Sequence, residues 1–102
     1  MSNKSIPYEE ELSAWLQDAE NAAEYINAAI EDEDKAVLLL ALRDVAKARG
    51  GMTAVAEKAH LGRESLYKML SKRGNPEFKS SASVLHGMGL RVMVEPEMDV
   101  AA

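Results

Sequence analysis

Apolar residues recur at helical spacing along most of the chain, and short polar runs divide them into segments. Tyr8, Leu12, Trp15 and Leu16 form the stripe of an amphipathic helix, with Glu9, Glu10 and Glu11 in its first turn, where the macrodipole favours acids. Ile6-Pro7 marks its start, because proline suits the first helical turn. Asp18 can cap a second helix carrying Ala19, Ala22, Ala23, Ile26, Ala29 and Ile30 on one face. No Gly or Pro separates the two, so residues 8–31 read equally as one long helix. Glu31-Asp32-Glu33-Asp34 then offers a cap to a core helix over 35–49. Its stripe of Leu38, Leu42, Val45 and Ala46 is widened by Leu39, Leu40 and Ala41, which predicts burial on more than one side. Gly50-Gly51 stops it.

Residues 52–71 carry the most informative pattern, two short helices around a tight turn. Thr53 is the expected cap of the first helix, and Ala56 sits where crossing helices need a small side chain. His60 falls where the turn favours a positive φ, and Leu61-Gly62 completes it. Leu66 and Leu70 share one side of the second helix, leaving Arg63, Glu64, Tyr67 and Lys68 on its other faces. Lys-Arg-Gly-Asn-Pro (72–76) is a loop. Phe78, Ala82 and Leu85, with Val84 and Met88 alongside, predict a last helix within 77–88. Leu90 to Val94 alternates and is β-branched, which predicts a strand over 90–95. A lone strand must pair, with a second copy, a piece of the N-terminus or a foreign chain. Self-pairing would give a two-fold dimer joined through Leu90, Val92 and Val94. The tail, 96–102, should be frayed. The expected fold is one all-α domain, 1–102, with extra N-terminal helices and a short C-terminal β-strand.

Composition narrows the function. The chain has 102 residues, 47% hydrophobic and 28% charged, enough for one modest core. It has no cysteine, which removes disulfides and thiolate metal sites and suits a reducing compartment. The longest apolar run, Ala36 to Leu42, falls far short of the roughly 20 residues a bilayer requires. Met-Ser-Asn-Lys-Ser-Ile-Pro lacks the apolar centre of a secretory signal, so a cytoplasmic protein is expected. The net charge of −5 hides a division. Residues 1–34 hold one Lys and ten acids, a net −9; residues 35–94 hold eleven Lys/Arg and four acids, a net +7; residues 95–102 add −3. Such a division suggests two partners of opposite sign. His60 and His86 have no further ligand at metal spacing, and neither a Ser-His-Asp pattern nor a phosphate-cradling glycine loop is present. Neither catalysis nor a cofactor is expected.

The basic block coincides with the paired helices, and together they point to double-stranded DNA. Arg63 can grip guanine O6 and N7 with its planar fork, Glu64 can accept from cytosine N4, and Ser65 and Tyr67 can donate to phosphate or base. Lys68 reaches bases or backbone according to docking angle. Thr53 and the amides of its helix start can hold a phosphate, while Lys72, Arg73, Asn75 and Lys79 (with Ser80 and Ser81) suit backbone clamps. Plainer roles compete: Glu64 could pair only with Lys68 in a surface bridge worth roughly 0.3–0.5 kcal/mol. Tyr67 could cover the local core, and Arg63 and Lys68 could be a solvated face.

The order of elements resembles the HigA-related addiction module antidote proteins, bacterial antitoxins of the Xre, or lambda repressor-like, class. The resemblance spans Tyr8 to Val94. It rests on Tyr8-Glu-Glu-Glu-Leu12, Ala23-Glu-Tyr-Ile-Asn-Ala-Ala29, Leu42-Arg-Asp-Val-Ala46, Gly62-Arg-Glu-Ser-Leu-Tyr-Lys-Met-Leu-Ser71, Gly74-Asn-Pro76 and Gly89-Leu90. Two positions depart from the family pattern: Asp18-Ala19 stands where Asp-Pro is common, and Met52 where a phosphate-bracing Gln is frequent. The resemblance implies a lambda repressor-like fold and a dimeric autorepressor on a palindromic operator. It also implies a cognate small basic toxin of the RelE/ParE superfamily. A stand-alone Xre-type regulator without a toxin would share every motif residue, and a protein inhibitor that had lost DNA binding would share the fold.

Overall fold

The structure, a computed structural model, describes residues 8–98, so Ile6-Pro7 and the end of the tail, 99–102, lie outside the described residues. Its elements are α1 (Tyr8–Leu16), α2 (Ala19–Glu31), α3 (Lys35–Ala48), α4 (Met52–Ala59), α5 (Arg63–Met69) and α6 (Phe78–Gly87). The central helix is α3. The α1–α2 hairpin packs on it, and α4 adjoins it and in turn holds α5 and α6.

Local chemistry sets the boundaries. Residues 8–31 divide into two helices at Asp18, whose extended backbone ends one helix while its carboxylate accepts the Glu20 N–H at 2.8 Å. Asp34 does the same for α3, accepting the Ala36 N–H at 2.9 Å. Each such cap contributes about 1 kcal/mol. Gly50 and Gly51, at φ +116° and +91°, turn the chain directly from α3 into α4, a corner that residues with a Cβ rarely adopt. Helix α4 therefore begins at Met52 with Gly51 as its cap, and Thr53, the expected cap, lies exposed in its first turn.

The core gathers Leu16, Ala22, Ile26, Ala29, Leu39, Leu42, Val45 and Ala46 from the first three helices, and Met52, Val55, Ala56, Leu66, Leu70, Val84 and Met88 from the rest. Several stripes run past it. Tyr8 is 73% exposed and Trp15 44%, while Ile30, Leu40 and Phe78 also face solvent. Helix α1 reaches the core through Leu16 and half-buried Leu12, and Trp15 lies edge-on to Tyr25, ring centres 6.4 Å apart. Tyr25 Oη donates to Asp44 Oδ2 at 2.8 Å, tying α2 to α3, and burial together with this bond pushes the phenol above its ordinary range.

The C-terminal segment corrects the expectation most. No strand is present among the described residues: 91–98 has no regular structure and is exposed, including Val92 and Val94. Leu90 is committed elsewhere. Its N–H donates to Leu85 O at 2.8 Å and that of Gly89 to His86 O at 3.0 Å, the paired bonds that close a helix with a left-handed residue, here Gly89. Leu90 then packs on the core. No second extended segment lies alongside to complete a ladder. The expected dimer contact through Leu90, Val92 and Val94 falls with the strand.

Helix α6 lies close against α4. A Cβ on Gly87 would stand 2.7 Å from Val55 O and 3.3 Å from Ala59 Cβ. Gly87→Ala should therefore lower stability by about 1–3 kcal/mol through overpacking. An unchanged melting temperature would show that the two helices can part without cost.

Candidate nucleic-acid interface

The site is built around α5, whose inner side is fully committed. Leu66 and Leu70 are 0% and 1% exposed, and Met69 packs partly against the same core. The turn before it is fixed by His60, which adopts φ 60° and ψ 40° and donates its N–H to the end of α4. Leu61 N–H donates to Ala56 O at 2.9 Å, and its side chain packs on the core. The result is the same closing motif that ends α6, with histidine in the place of glycine.

Arg63, Glu64, Ser65, Tyr67 and Lys68 are all exposed on the outward side. Gly62, Arg63, Glu64, Ser65 and Tyr67 line an open concavity of about 770 Å³. The Arg63 guanidinium lies 5.6 Å from the centre of the Tyr67 ring, within the range of a cation–π contact. Tyr67, 49% exposed, does not cover the core. Lys72, Arg73 and Asn75 are exposed in the following loop, and Lys79 in the first turn of α6; Ser80 and Ser81 are half-buried. Thr53 is exposed on α4, whereas Met52 beside it is buried in the core. Lys68, Lys72, Arg73, Asn75, Lys79 and Thr53 stand outside the concavity.

Three residues that shape the site carry no role in the sequence reading. Arg43 of α3 donates through Nη1 to Leu70 O, holding the C-terminal end of α5. Arg49 donates through Nε to Met88 O and through Nη1 to Gln17 O, each at 2.6 Å, so one guanidinium joins the ends of α6 and α1. Gly74 is buried, and a Cβ there would stand 1.9 Å from Met69 O, so the loop bearing Lys72 and Arg73 lies directly on the end of α5. The available signal was a charged residue, Arg43, adjoining the apolar face of α3, where a cation needs an acceptor.

Elsewhere on the surface, a concavity of about 130 Å³ is lined by Glu9, Leu12, Ser13, Leu16, Asp44 and Lys47. Another, of about 240 Å³, lies between α4 and α6 beside His60 and His86. Among the described residues no group of three or more His, Cys, Asp or Glu could hold a metal ion, and no helix is long and apolar enough to cross a membrane.

Fold and site define a small all-helical protein that presents one short, braced helix edged with cations and hydrogen-bond donors. The family described as "Probable addiction module antidote protein" matches residues 8–96, and the chain belongs to that family. It is also 33% identical to an uncharacterized protein of Haemophilus influenzae over 85 residues, 83% of this chain and 87% of that one. No solved structure matches it.

The inward and outward sides of α5 should separate under mutation. Leu66→Ala empties a fully buried position and should cost about 2–5 kcal/mol. Arg63→Ala, on the solvent side, should stay within about 0.5 kcal/mol of the parent. Chemical denaturation of both variants checks this; equal losses would mean that Arg63 helps hold the fold.

Proposed function

We propose that this protein is the DNA-binding antitoxin of a type II toxin–antitoxin module, acting by binding and not by catalysis. It represses its own operon through an Xre-type helix-turn-helix made of α4 and α5, and it neutralises a toxin of the RelE/ParE superfamily. One observation carries the DNA reading: α5 is anchored by two fully buried leucines while Arg63, Glu64, Ser65, Tyr67 and Lys68 all face out. A helix held that way can enter a major groove without rearranging. Arg63 reads a guanine, Glu64 a cytosine, and Ser65, Tyr67 and Lys68 complete the base and backbone contacts. Thr53, Lys72, Arg73, Asn75 and Lys79 hold phosphates. Two copies on a palindromic operator would place their α5 helices in successive grooves roughly 34 Å apart.

The toxin reading is supported by family membership, whose description names an antidote, and by the charge division. The acidic α1–α2 hairpin carries Tyr8 and Trp15 exposed at 73% and 44%, and it packs on α3, whereas α5 packs on α4. Exposed aromatics framed by carboxylates suit a basic protein surface, since aromatic side chains dominate contact energies.

Binding to the DNA upstream of the gene, titrated against salt, tests the first half. Arg63→Ala should lose about 1–3 kcal/mol and relax preference at one base pair. Lys72→Ala or Arg73→Ala should weaken all sequences alike and reduce the salt slope by about 1. No binding even at low salt would refute DNA recognition. For the second half, Trp15→Ala should weaken capture of the co-expressed product of the adjacent gene by about tenfold or more. Arg63→Ala should leave that capture intact, and the reverse pattern would place the toxin on the groove-reading face.

A further inference from the structure

Arg63 and Tyr67 stand one helical turn apart on the outer side of α5, with the guanidinium carbon 5.6 Å from the ring centre. Both line the same concavity. An exposed arginine in the first turn of a short helix would otherwise sample many rotamers, and ordering it on a ligand costs entropy. A ring within cation–π range limits that freedom beforehand. A contact through the flat face of the guanidinium would leave the N–H donors around its edge free to meet a pair of acceptors. Lysine could not substitute, because its ammonium lacks a planar fork.

We infer that Tyr67 is a positioning residue: its ring holds the Arg63 guanidinium in the orientation that reads a base pair, and so sets discrimination at that base pair. The inference rests on the DNA-binding reading above and goes beyond it, because it assigns the Tyr67 ring a role in base discrimination separate from any contact that its hydroxyl makes. The i to i+4 spacing makes the arrangement a property of the helix itself, present before any duplex arrives.

The test uses the full chain and a randomised duplex pool from which the parent protein selects its preferred sequence. Dissociation constants are then measured at fixed salt for that duplex and for its single base-pair variants. Tyr67→Phe should keep parental discrimination. Tyr67→Ala should lose about two- to fivefold at the one base pair that Arg63→Ala also relaxes, with an unchanged salt slope. In an Arg63→Ala background, Tyr67→Ala should add nothing. The free protein supplies a second readout, since the Arg63 Nε–H resonance should carry a ring-current shift that Tyr67→Ala abolishes and Tyr67→Phe preserves.

Tyr67→Phe behaving like Tyr67→Ala would overturn the inference in favour of a direct hydroxyl contact. A uniform loss across all sequences with a flatter salt slope would overturn it in favour of a phosphate contact. In both cases the parent still selects a sequence, so DNA recognition stands. Failure of the parent to select any sequence would remove that reading and the inference together.

Discussion

Seven residues are too few for a helix to persist alone in water, so α5 exists because Leu66 and Leu70 are held in the core. That burial is the constraint on which the outer surface depends. It fixes the rotation of the helix about its axis, and with it which side chains can face outward. Arg43 adds a donor at the carbonyl end of α5, and the buried Gly74 lets the next loop lie against the same end. The cationic surface is therefore a consequence of what lies beneath it.

Much of the helical plan could be read from residue order because its signals are local. Asp18 and Asp34 cap the helices they precede, Gly50-Gly51 turns the corner, His60 takes the left-handed conformation, and Leu66 and Leu70 point inward. The misreadings share a cause. Periodicity says which face of an element is apolar, and it cannot say whether anything arrives to cover that face. Tyr8, Trp15, Leu40 and Phe78 sit on correctly spaced stripes that outrun the core. The alternation of Leu90, Val92 and Val94 fails for the same reason, because a strand needs a neighbour and a helix does not. Arg43 and Arg49 were invisible for another reason: the acceptor of Arg43 lies 27 residues away and those of Arg49 lie 39 and 32 away, at carbonyls that no side-chain pattern marks.

The charge division takes on structural meaning once α3 is seen at the centre. The acidic hairpin packs on this helix, while α5 and α6, which carry Arg63, Lys68 and Lys79, pack on α4. Carrying the two signs largely on different helices keeps attraction for an anionic partner from being cancelled by attraction for a cationic one. A small chain can thus offer two surfaces of opposite sign with only one core.

Arg49 adds a condition to that separation. Its single side chain closes the last turn of α6 and the corner after α1 at once. If either end frays, a carbonyl loses its donor and the guanidinium keeps only half its partners. The corner after α1 and the end of α6 thus share a single donor group. Removing that one side chain would leave carbonyls at two distant points of the chain without their donor.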